Sequence, residues 1–326
     1  MHLSFGLLAL LLSLMFTAVY LPLAKRLRFL DAPNHRSAHV VVTPSSGGLA
    51  IVAAIVISLL ASAVSGQNPD QVSLSTMLWL IVAVCALGAW DDRRPVPVYL
   101  RLCVFLLLSA FAVFANLGSE PMPSWMWPLL IVGFAWLLNL YNFMDGIDGL
   151  AALHTVLVAG GMLTVALITG AERTYLVFCV IIAGGYAGFL VFNWPPAKLF
   201  MGDAGSLSAG MLIGWLGLLA WQDAHLPIIA WVLLMSPFLL DTGVTLMERV
   251  IRREHLTEAH SGHCYQRLAR HWDSHKRVDF ALLLLHLCWL LPLAILSAFR
   301  ALPEWTLLVL GLFPQLLLIA KLRRLK

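Results

Sequence analysis

The sequence predicts an all-α polytopic membrane protein, a single domain with about eleven transmembrane helices. Of its 326 residues, 60% are hydrophobic and only 12% are charged, which is about half the charged fraction of an ordinary soluble domain. The apolar residues occur in runs of about 18 to 22, the length that crosses a bilayer as a helix. These observations exclude a soluble protein, a disordered protein and a nucleic-acid-binding protein.

Eleven apolar runs predict the helices in order. The first run has no basic residues before it and no small-residue cleavage site, and Lys25, Arg26 and Arg28 follow it. This arrangement favours a signal anchor over a cleaved signal peptide. One long loop, 247–278, separates the ninth and tenth helices. The predicted spans are 3–23, 47–65, 73–90, 98–117, 124–144, 150–170, 174–193, 205–222, 226–246, 279–299 and 303–320.

The basic residues predict the orientation in the membrane. Eighteen Lys and Arg residues lie in alternate loops and at the C-terminus, whereas the opposite loops hold only Arg173 and Arg300. Basic residues concentrate on the cytoplasmic side of membrane proteins. The sequence therefore predicts a periplasmic N-terminus, a cytoplasmic C-terminus and a location in a bacterial inner membrane.

Acids and amides cluster where three spans end, all on the predicted cytoplasmic face. Asn139, Asn142 and Asp145 recur every three residues, so they share one face of a helix end. Converging carboxylates repel each other, and Mg²⁺ relieves such repulsion with one or two carboxylates plus a substrate phosphate. The pattern predicts phosphate chemistry at the inner membrane surface. The three groups comprise Asp91 and Asp92; Asn139, Asn142, Asp145 and Asp148; and Asp203.

Basic side chains of two loops are further candidates for phosphate binding. Arg36 and His39 lie in the first loop, where the alternative interpretation is a simple orientation signal. His260 and His263 have the i, i+3 spacing of a zinc pair, but no further Cys or His completes such a site. Hydrogen bonding to phosphate is therefore the favoured interpretation for these histidines and their neighbour Arg267.

Five motifs in chain order resemble the polyprenyl-phosphate N-acetylhexosamine-1-phosphate transferases, glycosyltransferase family 4, which include WecA-like and MraY-like enzymes. They cover most of the chain, and the family's eleven-helix architecture agrees with the span count. The motifs are Asp-x-Pro-Asn-x-Arg-x-x-His at 31–39, Thr-Pro-x-x-Gly-Gly at 43–48, Asp-Asp at 91–92, Asn-x-x-Asn-x-x-Asp-Gly-x-Asp-Gly at 139–149 and Phe-Met-Gly-Asp-x-Gly-Ser at 200–206.

The resemblance implies a reaction and its partners. A UDP-linked N-acetylhexosamine gives its sugar 1-phosphate to undecaprenyl phosphate within the membrane lipid, and UMP leaves. Mg²⁺ is the implied cofactor, with Mn²⁺ as an alternative. Nucleic acid is not an expected partner, and a homodimer is one assembly left open.

The resemblance also implies roles for residues. Asp91, Asp92 and Asp203 are the implied catalytic residues: Asp91 orients or deprotonates the lipid phosphate, and Asp92 supports it. Asp203 and Asp145 are the implied metal ligands. The implied substrate-binding residues are Asn139, Asn142, Asp145, Asp148, Phe200 (stacking on uracil), Arg94 and Arg101 (lipid phosphate), and Arg36, His39, His260, His263 and Arg267.

The last loop departs from the family pattern. Only His260 and His263 stand where MraY-like enzymes carry consecutive histidines and WecA-like enzymes a His-x-His-His form. The departure favours the branch that initiates O-antigen or similar polysaccharides, including those that use 6-deoxy sugars, over the phospho-MurNAc-pentapeptide transferase of peptidoglycan synthesis.

Two unrelated classes remain as alternatives. A secondary transporter should place acids near the bilayer midplane, but only Asp241 lies deeper in a span, where hydrogen bonding to neighbouring helices is the favoured interpretation. A CDP-alcohol phosphotransferase should carry a spaced Asp-Gly-x-x-Ala-Arg signature, but Asp145-Gly146 is followed by Ile147-Asp148.

Overall fold

The computed structural model describes residues 2–31, 42–66, 70–223, 225–254 and 262–323. It confirms an all-α fold with spans of membrane length. Ten segments within these residues are long and apolar enough to cross a membrane, and one shorter apolar helix of 17 residues lies among them. Each of the eleven predicted runs falls on one of these segments.

The elements follow one another as an ordered bundle with a single two-residue antiparallel ladder between β1 and β2 in the described chain. They are α1 (His2–Arg26), β1 (Leu30–Asp31), β2 (Thr43–Pro44), α2 (Gly48–Val64), α3 (Gln71–Asp91), α4 (Val98–Leu117), α5 (Met126–Met144), α6 (Leu150–Thr169), α7 (Arg173–Asn193), α8 (Gly202–Gln222), α9 (Ile228–Ile251), α10 (Cys264–Trp272), α11 (His275–Leu285), a π-helical turn (His286–Leu290), α12 (Leu291–Ala298) and α13 (Glu304–Leu322).

Helix α8 forms the centre of the bundle. Sixteen of its 21 residues are buried, whereas six of the 25 residues of α1 are buried. Its first half is rich in Gly, Ala and Ser, residues that let membrane helices approach closely. At Gly88 of α3, an added Cβ would lie 2.5 Å from backbone atoms of Asp203 and Ala204. The end of α3 can therefore lie directly against the start of α8.

The predicted loop 247–278 is shorter and more ordered at its ends than the sequence indicates. Helix α9 continues to Ile251, α10 lies within the loop, and α11 begins at His275 rather than near 279. Polar residues extend these helices beyond the apolar runs: Glu248 pairs with Arg252 one turn later, and the Ser274 side chain accepts a hydrogen bond from the Arg277 N–H.

Candidate active site

Asp92 joins the end of α3 to the start of α8. Its Oδ1 accepts a hydrogen bond from the backbone N–H of Asp203 at 2.8 Å, and its Oδ2 accepts one from the Ser46 hydroxyl at 2.7 Å. Gly202 has a φ of +69°, and a Cβ there would lie 2.5 Å from the Asp92 carboxylate. Burial raises the pKa of Asp92, although these hydrogen bonds lower it. Asp92 therefore caps α8 and fixes the position of Asp203.

Asp91 holds an arginine beside Asp203. Its Oδ1 accepts a hydrogen bond from the backbone N–H of Val96 at 2.7 Å, and its Oδ2 accepts one from Arg101 Nη1 at 2.8 Å. The same Nη1 lies 3.7 Å from Asp203 Oδ2. The Asp91 side chain is 8% exposed and that of Asp203 is 27% exposed. Asp203 is thus the more accessible carboxylate, with a guanidinium at its edge.

Helix α5 contributes the second group of polar residues. Asn142 Nδ2 donates a hydrogen bond to Asp203 Oδ1 at 2.6 Å and lies 3.4 Å from Ser206 Oγ. Asp145 follows the last turn of α5 and is half-buried. Its burial raises its pKa well above the usual value, and the negative charge of Asp203 adds to this shift. Asn139, one turn before Asn142 on the same helix, is half-buried. The predicted convergence of α3, α5 and α8 is present.

Asp148 ties the turn between α5 and α6 to the segment before α8. Its Oδ2 accepts a hydrogen bond from the backbone N–H of Ala197 at 2.9 Å, and its Oδ1 lies 3.4 Å from His275 Nδ1. Asn193 Oδ1 accepts from the Gly149 N–H at 3.0 Å. The turn between α5 and α6, the segment before α8 and the start of α11 therefore meet around the Asp148 carboxylate.

Phe200 connects the segment before α8 to the Thr-Pro-x-x-Gly-Gly motif. It is half-buried, its N–H donates to the Pro44 carbonyl at 2.8 Å, and its carbonyl accepts from the Gly47 N–H at 3.0 Å. The Thr-Pro-x-x-Gly-Gly motif therefore lies against the Phe-Met-Gly-Asp motif, in which the half-buried Phe200 precedes Asp203 by three residues.

The other described residues of the predicted set are placed by different contacts. His263 is buried, with its Nδ1 3.4 Å from Asp241 Oδ1, and Arg267 Nε donates to the Gly262 carbonyl at 3.1 Å. Arg94 is exposed in the turn after α3. The expectation that Asp241 hydrogen-bonds a neighbouring helix is confirmed, and the partner is α10. Arg36, His39 and His260 lie outside the described residues.

Three site residues are absent from the sequence-based set. Ser46 belongs to the Thr-Pro-x-x-Gly-Gly motif, directly before its first glycine, and Asn193 lies two residues before Pro195 and Pro196. These neighbours are the signal that sequence reasoning could have used. His275 has no such signal, because its neighbours are those of an ordinary helix start. The three side chains contact carboxylates or the backbone that carries them.

The donor set suits a hard cation that the substrates help to bind. Among residues the structure describes, no three His, Cys, Asp or Glu side chains are grouped closely enough to hold a metal ion by themselves. Asp203 and Asp145 nevertheless lie close enough for their charges to interact: burial raises the pKa of Asp145, and the negative charge of Asp203 adds to that shift. Mg²⁺ takes one or two carboxylates and completes its shell with water and phosphate. The residues present fit that mode of binding.

Comparisons with known proteins point to one family. The profile described as Glycosyl transferase family 4 matches residues 74–220. The chain is 28% identical over 287 residues to a probable undecaprenyl-phosphate N-acetylglucosaminyl 1-phosphate transferase of Bacillus subtilis, covering 82% of this chain and 78% of that protein.

Two relatives carry a different name. The chain is 31% identical over 220 residues to a phospho-N-acetylmuramoyl-pentapeptide-transferase of Moorella thermoacetica, covering 60% of this chain and 66% of that protein. It is 27% identical over 269 residues to a phospho-N-acetylmuramoyl-pentapeptide-transferase of Clostridium botulinum, covering 74% of this chain and 81% of that protein.

Proposed function

Because the chain belongs to glycosyl transferase family 4 and is a membrane-embedded phosphoglycosyltransferase, we propose that it transfers an N-acetylhexosamine 1-phosphate, or its 6-deoxy form, from a UDP-sugar to undecaprenyl phosphate. The products are undecaprenyl-diphosphate-sugar and UMP. The reaction initiates an O-antigen or similar surface polysaccharide. The observation that carries the proposal is the accessible Asp203 carboxylate, held between Arg101 and Asn142.

The proposed chemistry needs charge neutralisation more than proton transfer. An oxygen of undecaprenyl phosphate attacks the sugar-bearing phosphorus and forms a new P–O bond. The bond from that phosphorus to the bridging oxygen breaks, and that oxygen leaves on UMP. The second pKa of a phosphate monoester is about 6, so the attacking phosphate is largely dianionic at pH 7. No proton has to move for the charges to balance.

The chain's residues then act by binding and orientation. Arg101 binds the incoming phosphate of the lipid. Asp91 orients the Arg101 side chain, since the two Asp91 oxygens already accept hydrogen bonds from Val96 and Arg101. Asp203 and Asp145 would hold Mg²⁺, which when bound supplies further neutralisation of the phosphates. Asp92 keeps the first turn of α8 in place.

The donor side is assigned to the turn between α5 and α6. Asn142 and Asp148 line it, and Phe200 offers a half-exposed ring on which a uracil base would stack. The concentration of Lys and Arg in the loops on one side supports a site on the cytoplasmic face of a bacterial inner membrane. A reporter fused to the C-terminus should be cytoplasmic; a periplasmic signal would contradict this placement.

The test is turnover by purified protein in detergent. UMP release from a UDP-sugar should require both undecaprenyl phosphate and Mg²⁺, and chelation by EDTA should abolish it until Mg²⁺ is restored. A screen over UDP-GlcNAc, UDP-GalNAc and their 6-deoxy analogues identifies the sugar. Release of UMP without the lipid, or without any dependence on Mg²⁺, would contradict the proposal.

A second candidate is transfer of phospho-MurNAc-pentapeptide, and two of the relatives described above favour it by their names. Its donor carries a peptide as well as the sugar. UDP-MurNAc-pentapeptide belongs in the same screen, and preferential turnover of that donor would replace the surface-polysaccharide assignment.

A further inference from the structure

Asp241 is a buried carboxylate inside α9 that the proposed reaction does not use. It is 5% exposed. Its Oδ1 accepts a hydrogen bond from the backbone N–H of Cys264 at 2.8 Å, and its Oδ2 accepts one from the backbone N–H of Tyr265 at 3.0 Å. Both N–H groups belong to the first turn of α10. A carboxylate from one helix therefore caps a second helix that lies in a loop.

The neighbours of Asp241 come from three elements. His263 Nδ1 lies 3.4 Å from its Oδ1, and the Thr245 hydroxyl lies 3.3 Å from the same oxygen. Arg323, after α13, donates to that hydroxyl at 2.7 Å and pairs with Glu248. A charged group within apolar surroundings is costly unless such partners satisfy it. The cap is thus a built arrangement with several polar partners.

Tyr265 connects α10 to the candidate site. The Tyr265 hydroxyl donates to the Phe143 carbonyl at 2.8 Å and lies directly against Gly146. These two residues flank Asp145, and Asn142 immediately precedes Phe143. The buried His263 ring stacks with both of these aromatic residues, with centroids 6.2 Å from Phe143 and 5.8 Å from Tyr265. The start of α10 is consequently attached to the turn assigned to the donor.

We propose that Asp241 is a positioning residue for the nucleotide-sugar half of the reaction. It locks α10 to α9. Helix α10 in turn holds residues 143–146, the end of α5 and the start of the following turn, in the geometry that binds the UDP-sugar. The inference deepens the proposed function and rests on it. The contacts run to Phe143 and Gly146, next to Asn142, which donates to Asp203 Oδ1. Arg101, assigned to lipid phosphate, lies instead near the other oxygen of Asp203, Oδ2. Loss of the lock should therefore weaken donor binding more than lipid binding.

The first experiment separates the two substrates kinetically. Asp241→Asn keeps the shape but not the charge, and Tyr265→Phe removes only the hydroxyl that meets Phe143. In both variants the KM for the UDP-sugar should rise about tenfold while the KM for undecaprenyl phosphate stays within about twofold. Glu254→Gln is the matched control, since Glu254 lies just after the same helix and pairs with Arg249 rather than with a partner of Asp241. It should leave both KM values unchanged.

The second experiment does not depend on turnover. Cys264 is buried beside Asp241, and burial raises the pKa of its thiol to about 12, so it should react slowly with a maleimide. In a Cys103→Ser/Cys288→Ser background, which removes the two exposed thiols, Asp241→Asn should increase the labelling of Cys264 at least about fivefold. Loss of the Asp241 charge by itself lowers the pKa of the thiol, so Asp241→Glu, which keeps the charge but moves the carboxylate, should increase the labelling as well. Glu254→Gln should not increase it.

The outcomes are distinguishable. Unchanged Cys264 labelling would overturn the lock, and equal increases in the two KM values, or a loss of folded protein in both Asp241→Asn and Tyr265→Phe, would reduce Asp241 to a structural residue. If the wild-type protein releases no UMP, the proposed function fails by itself, while the labelling result still decides whether Asp241 anchors α10.

Discussion

Helices α8 and α10 both begin against a carboxylate supplied by another helix, but only α8 begins among the converging acids. Asp92, at the end of α3, accepts the Asp203 N–H, and Asp203 itself reaches into the site. Asp241, within α9, accepts the Cys264 and Tyr265 N–H groups, and the first turn of α10 carries no acid. The same capping chemistry therefore places the proposed metal ligand in one case and supports a neighbouring turn in the other.

A third cap shows what neither of these does. Asp70 caps its own helix, α3, by accepting from the N–H groups of Val72 and Ser73 at 3.4 and 3.1 Å, and it is exposed. A local cap stabilises only the helix that it begins. Variants at the three helix starts should consequently differ in kind: loss of chemistry at α8, loss of donor binding at α10 and loss of stability alone at α3.

The largest effect is expected at the first turn of α8. Asp203→Asn should lower kcat at least about 1,000-fold, because a metal ligand and the charge facing Arg101 are lost together. The amide oxygen can still accept from Asn142, so the folded protein should remain. UMP release at several Mg²⁺ concentrations and the melting temperature in detergent measure the two effects. Near-normal turnover would mean that the metal assignment is wrong.

A smaller effect is expected when the cap of α8 is weakened. Asp92→Asn keeps one acceptor oxygen but places an NH₂ group where either the Asp203 N–H or the Ser46 hydroxyl now donates. We expect kcat to fall about 10- to 100-fold and the melting temperature to fall with it. Ser46→Ala removes only one hydrogen bond and should lower kcat by less than about tenfold. An Asp92→Asn protein with normal kcat would show that the cap does not position Asp203.

The smallest effect on activity is expected at Asp70. Asp70→Ala should leave kcat and both KM values unchanged and lower the free energy of unfolding by about 1 kcal/mol. Hydrogen bonding from Ser73 holds the pKa of Asp70 below its usual value. Its stabilisation is therefore complete above the unfolded-state pKa and is lost as the pH falls through the lower folded-state pKa.

Denaturation of the wild-type and Asp70→Ala proteins at neutral and acidic pH tests this prediction. The difference in stability between them should be largest at neutral pH and should shrink on acidification. A difference that grows on acidification, or an altered KM, would contradict the distinction between local and inter-helix caps.

Much of this protein could be predicted from its sequence because membrane spans are encoded locally. A run of apolar residues is enough to place a helix in a bilayer, and the eleven runs all fall on apolar helices of the bundle. The acids at the ends of α3, α5 and α8 were identifiable for a related reason: charge is so rare in this chain that each exception among the spans is visible. Family motifs, each a short stretch of sequence, identified the same positions.

Only the tertiary structure decided which of those acids share partners. Asp91 and Asp92 are adjacent in sequence, yet Asp91 holds Arg101 and Asp92 holds the start of α8. Asp241 and Tyr265 are 24 residues apart in the sequence, and their hydrogen bond depends on the placement of α10. The extension of α9 to Ile251 also depends on side-chain pairs beyond the apolar run. Hydropathy determines where helices lie along the chain, whereas hydrogen bonds between distant residues require the packed bundle.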